Sequence, residues 1–187
     1  VYIHKAVVKK GKINKGDVIK MSVEKEKRAA IAIHHSATHL VHAALREILG
    51  DHVQQKGSLV DENKLRFDFS HSKPLSSEEI LAIETIVNKE ALKNLEVKTE
   101  LMKLDDALKS GAMALFGEKY DDDVRVLTMG ENSYSVELCG GTHVERTGDV
   151  GFFAITSQSS VASGIRRIEA VAGIKALEYI NTVRNAT

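Results

Sequence analysis

The sequence is poor in the residues that staple, break or anchor a chain. It has one cysteine, so no internal disulfide can form, and a disulfide-framed secreted scaffold is excluded. A reducing, cytoplasmic compartment is therefore expected. It has one proline, Pro74, and no low-complexity tract, so no flexible linker stands out. No apolar run approaches the ~18 residues of a membrane-spanning helix. The sequence begins at Val1 without a basic, apolar, small-residue leader, which argues against a signal peptide and suggests a piece of a longer polypeptide. Net charge is also absent, with 26 basic and 26 acidic residues.

What is present is enough for a core: 43% of the 187 residues are hydrophobic, room for one sizeable domain with a small appendage. The charge is unevenly spread. Residues 1–28 hold nine Lys/Arg against three Asp/Glu, or +6, leaving −6 on the remainder. A basic end on an acidic chain can meet nucleic-acid phosphates, with Lys9, Lys10, Lys12 and Lys15 as candidates; it can also be a lysine-rich solvated sheet edge.

Val18-Ile-Lys-Met-Ser-Val23 is β-rich, with Gly11 and Gly16 as turns before it, so residues 1–28 read as a small β segment. Leu40, Ala44, Leu45 and Ile48 recur at helical steps, which predicts a helix from about Arg28 to Leu49, stopped by Gly50. Gln54–Ser58 reads as a polar turn. Ser58–Val60 and Leu65–Phe69 form a predicted hairpin. Ser76-Ser-Glu-Glu79 has the capping-box form and opens a helix reaching about Asn94. Strands are expected at Val97–Met102, Val124–Met129, Tyr134–Leu138, Phe152–Thr156 and Ile165–Val171. Short and closing helices are expected at Asp105–Ser110 and Ile174–Arg184. The order lacks regular βαβ alternation, so the class is α+β, a mixed helix and antiparallel-sheet domain.

The chemistry concentrates in two places. Four of the eight histidines lie between His34 and His42. Helical spacing puts His35 and His39 on one face, one turn apart, with His42 at the three-residue step and His34 pointing elsewhere. A hundred residues on comes Cys139-Gly-Gly-Thr-His143, after a predicted strand. Two imidazoles plus Cys-x-x-x-His make four nitrogen and sulfur donors, the number a tetrahedral zinc site takes. A closed set of four usually means a structural site, so a catalytic role needs a ligand to swing off or a water held beside the metal. The competing reading makes Cys139 a metal-free nucleophile with a histidine partner. Gln55 and Lys56 follow the metal helix and could reach a substrate over it. Arg166 and Arg167 are paired in a strand, so one could meet phosphate while the other pairs with an acid such as Glu169.

With these residues assembled, the sequence resembles the editing domain of bacterial alanyl-tRNA synthetase. The likeness runs through His35-Ser-Ala-Thr-His39-Leu, Gln55-Lys-Gly-Ser-Leu59, Leu65–His71, Gly111–Tyr120, Glu137–His143 and Gly164–Ala170. The related threonyl-tRNA synthetase editing domain shares the His and Cys/His framework. The resemblance implies that residues 1–28 end a small β-barrel and that 29–187 form the zinc-containing editing core with a C-terminal helix. It implies hydrolysis of serine or glycine from alanine tRNA, whose acceptor end is the partner along with the rest of a synthetase chain. It carries over His35, His39, Cys139 and His143 as zinc residues and Gln55 as a pocket residue. Thr38 and Gly141 are further substrate-side candidates, Gln55 and Cys139 the catalytic ones, and Lys9, Lys10, Arg166 and Arg167 the RNA-facing ones. A free-standing deacylase and a structural zinc module that only binds tRNA are the rivals. A zinc peptidase is disfavoured, since the helix lacks the glutamate of His-Glu-x-x-His.

Overall fold

A computed structural model describes residues 3–114 and 119–186. Residues 115–118, part of the Gly111–Tyr120 stretch that carries the resemblance, lie outside the described residues. The chain is organised around one long helix, α1 (Lys25–Leu49). Its apolar stripe, Ala37, Leu40, Val41, Ala44 and Leu45, is fully buried. The helix stops at Gly50, whose φ of 109° is open to glycine and whose N–H caps the Arg46 carbonyl.

The hairpin β1 (Gln55–Val60) and β2 (Leu65–Ser70) follows, then α2 (Ser77–Leu92). The predicted capping box is formed: the Glu79 N–H donates to Ser76 Oγ (3.2 Å) and the Ser76 N–H to Glu79 Oε2 (2.7 Å). Next come β3 (Lys98–Lys103), α3 (Leu104–Lys109), β4 (Asp123–Met129) and β5 (Ser135–Leu138). A 3-10 turn at Thr147–Val150 precedes β6 (Phe153–Ala162), β7 (Ile165–Ala172) and α4 (Ile174–Ala186).

The strands form two antiparallel sheets, ordered β1-β2-β7-β6 and β3-β4-β5. Helices α1 and α2 cover the first sheet, and Leu40, Leu45, Phe67, Phe69, Ile83 and Phe153 fill the layer between. Each such side chain removed from water contributes ~1.5–3 kcal/mol. Strand β4 serves two cores by alternation: Leu127 and Met129 join the main one, Val124 and Val126 a smaller one beneath α3. That link brings the end of β5 against α1.

Three expectations change. Residues 3–24 carry no strand, and Val18, Ile19, Met21 and Val23 are exposed. A β-rich run becomes a strand only beside a partner, and the described residues offer it none. Gln55 belongs to β1 rather than to a turn, because the hairpin ladder extends to a Gln55–Phe69 pair across a bulge. Strand β6 runs six residues past Thr156, since its outer half is polar and exposed and shows no alternation to read.

A candidate metal centre

Helix α1 stacks His35 and His39 one turn apart, with ring centroids separated by 5.2 Å. Strand β5 delivers Cys139 one residue past its end, and the Gly-Gly turn returns the chain so that His143 faces the same point. Cys139 Sγ lies 3.5 Å from His35 Nε2 and 3.2 Å from His143 Nε2. One donor atom from each of His35, His39, Cys139 and His143 lies within 4.8 Å of the others. A tetrahedral ion with bonds of ~2.0–2.3 Å holds its donors roughly 3.3–3.8 Å apart, so this set closes on an ion with small shifts.

The surroundings fix which nitrogen of each ring faces inward. His39 Nδ1 is 3.1 Å from Glu137 Oε2, so Nδ1–H donates outward and Nε2 is the nitrogen left to face the cluster. That Nε2 is buried and has no hydrogen-bond partner among the described residues; His34 and His42 also hold such nitrogens, but of the three only His39 belongs to the four-donor cluster. His143 Nδ1 lies 3.2 Å from Ser36 Oγ, which also accepts the Val144 N–H at 3.1 Å. Glu137 accepts in addition from His42 Nδ1 (3.3 Å) and from the Ser135 hydroxyl (3.2 Å). His42 thus supports the cluster through Glu137 and packs on Phe67, while His34 is buried outside it.

The electrostatics suit a cationic guest. Burial opposes the Cys139 thiolate, but hydrogen bonds from His143 and His35 and the charge of the His39 ring outweigh it and bring the thiol down to about 3. Burial likewise opposes charge on His39, yet the Glu137 carboxylate beside it holds the ring up at about 10, so a metal ion binding there displaces the Nε2 proton. Glu137, paired with His39 and His42 despite its burial, stays well below the usual carboxylate range. Burial keeps His143 neutral, the form a ligand needs. A metal-free nucleophile needs one base; three imidazoles converging on one sulfur, with an orphaned Nε2, fit a metal better.

The other expected site residues fall differently. Gly141 faces the His35 ring rather than a cavity: a Cβ there would stand 2.1 Å from His35 Cε1. Thr38 is buried and spends its proton on the His34 carbonyl at 2.8 Å. Gln55 is half-buried at the start of β1. Arg167 pairs with Asp68 through two bonds of 2.6 and 2.7 Å, not with Glu169. The register explains it: Asp68 is the direct cross-strand partner of Arg167, and Glu169 is taken by Lys64 at 2.6 Å. Arg166 donates to Gln158 at 3.2 Å. Lys9 and Lys10 are exposed. Glu137 and Ser36 are the residues that site reasoning from sequence missed. Strand alternation was the available signal for Glu137, since it sets Ser135 and Glu137 on one face.

Residues 124–169 match the model of the threonyl and alanyl tRNA synthetase second additional domain, a range that includes Cys139 and His143. The sequence is 57% identical over 180 residues to the alanine–tRNA ligase of Pseudomonas fluorescens, covering 96% of this chain and 20% of that protein. It is 52% identical over 186 residues to that of Ruthia magnifica, covering 100% of this chain and 22% of the relative.

The chain is homologous to one segment of the alanine–tRNA ligases. The enzyme of Cupriavidus necator agrees, at 56% identity over 180 residues, with 96% and 20% covered. The chain thus spans about a fifth of the length of these relatives. No helix among the described residues is long and apolar enough to cross a membrane.

Proposed function

We propose that this chain is an editing unit of a cytoplasmic alanine–tRNA ligase, hydrolysing the ester between alanine tRNA and a wrongly attached serine or glycine. The observation that carries the reading is the four-donor cluster with its Glu137 support, in a sequence homologous to a segment of these ligases. The need is physical. A synthetic pocket for alanine cannot exclude glycine by size, and one methylene or hydroxyl is worth only ~1–3 kcal/mol in an apolar pocket. A second, hydrolytic site removes the errors.

In this reading His35, His39, Cys139 and His143 hold zinc. Bound there, zinc would supply positive charge beside the ester carbonyl. Glu137 and Ser36 keep His39 and His143 in the tautomers that present Nε2 inward. Water adds to the carbonyl carbon, the ester C–O bond breaks, and the terminal ribose hydroxyl regains a proton. Gln55 holds the serine hydroxyl; Thr38, whose proton is engaged, can only accept. Residues 1–28 are an appendage that takes β structure only beside partner strands from the longer synthetase chain, 29–187 are the editing core, and Lys9 and Lys10 lie near phosphates of the acceptor end. The remainder of the synthetase chain is the other partner.

The test is single-turnover ester loss from tRNA charged with serine, glycine or alanine. The expected result is fast loss of serine and glycine and sparing of alanine. Gln55→Ala should slow the serine ester more than the glycine ester, while Cys139→Ala slows both. An equal slowing of both esters by Gln55→Ala would move Gln55 from hydroxyl recognition to general positioning.

A further inference from the structure

We propose that Arg125 is a positioning residue for the metal centre, clamping the Gly140-Gly141 turn so that Cys139 and His35 meet at one point. The inference rests on the reading that the four side chains bind a metal ion, and it adds a residue that is not a ligand and whose side chain hydrogen-bonds to the turn between two of them.

The Val126–Leu138 pair is the last of the β4–β5 ladder, so Arg125 stands opposite Cys139. Its carbonyl accepts the Cys139 N–H at 2.9 Å, prolonging the ladder by one bond. Its side chain then folds over the same turn: Nη1 donates to the Gly141 carbonyl at 2.8 Å and to the Gly140 carbonyl at 3.3 Å. One residue therefore holds three consecutive positions of the ligand loop. Among the described residues Arg125 makes no ion pair, so its charge is not committed to a surface carboxylate.

The clamp matters because, among the described residues, no other side chain hydrogen-bonds to Gly140 or Gly141. Two glycines lose the most backbone freedom on ordering and offer no side chain to pack. Gly141 is also the surface on which the His35 ring rests, with no room for a methyl group between them. A loop that drifts therefore misplaces Cys139 on one side and His35 on the other. A planar guanidinium can serve two carbonyls from a fixed direction; a lysine ammonium on a flexible stem holds them less well.

The experiment replaces bound metal with cobalt(II), whose visible bands report tetrahedral geometry and thiolate ligation, and measures affinity by chelator competition. Arg125→Met and Arg125→Lys are compared with the parent, with circular dichroism as the check on folding. Removing a support of this kind typically weakens metal binding ~10–100-fold. The expected result is a weakening in that range for Arg125→Met with reduced thiolate-to-cobalt absorption, and a smaller one for Arg125→Lys. Folded variants that bind cobalt within twofold of the parent, with unchanged bands, would overturn the clamp. A parent chain that takes up no cobalt would overturn the metal reading itself, and the clamp with it.

Discussion

At the scale of single residues, two adjacent glycines have opposite duties. A Cβ on Gly141 would collide with the His35 ring, while one on Gly140 would meet nothing within 4 Å. Gly141→Ala should therefore push His35 out of the cluster and weaken metal binding by roughly tenfold or more, the scale of removing a supporting group. Gly140→Ala should leave it unchanged, and chelator competition on the two proteins separates them. Glu137 gives a second prediction. Glu137→Gln keeps the shape but no longer fixes the His39 tautomer, so metal affinity should fall ~10–100-fold while the fold persists. The ligands themselves were legible in the sequence because each carries its own chemistry at a telling spacing. Glu137 was not, because its role comes from what the fold sets beside it, two histidines nearly a hundred residues away.

At the scale of elements, α1 is held to the sheet by Phe67, fully buried beneath it with its ring tilted against that of His42. Phe67→Ala should cost ~3–5 kcal/mol, read as a lower urea midpoint. Helix α2 meets β6 through Glu84, whose Oε1 accepts the Ile155 N–H at 2.7 Å. Burial raises the Glu84 pKa, and the Ile155 bond only partly offsets that. A carboxyl harder to ionise when folded favours the native state at low pH. Its contribution fades as pH rises through the unfolded value near 4.5 towards the raised folded one. Glu84→Gln keeps the acceptor and removes the charge, so it should be more stable than the parent at pH 7 and equal to it at pH 4. Urea unfolding at the two values decides it. Helices and buried strands were readable from period and caps, α1 and α2 above all. The outer half of β6 was not, since a solvated ribbon such as Ser157–Ala162 has no apolar alternation.

At the scale of the whole molecule, the charge asymmetry has a consequence if the chain meets tRNA. Neutralising Lys9, Lys10, Lys12 and Lys15 should flatten the slope of log affinity against log salt by roughly 0.7–0.9 for each phosphate no longer paired with a lysine. An unchanged slope would leave the lysines as solubilising groups. The β character expected for this segment failed for a reason that belongs to this scale: strand formation needs neighbours, and residues 3–24 have none among those described.

The central claim is that the cluster is a metal centre that ester hydrolysis requires. The direct measurement strips the chain of metal, returns zinc in steps, and follows on the same samples both metal content and single-turnover loss of serine from alanine tRNA. The predicted result is a rate that climbs with zinc and levels at one equivalent per chain, with alanine-charged tRNA left intact throughout. Full serine removal by the metal-free chain, or a chain loaded with zinc that leaves the serine ester untouched, would contradict it.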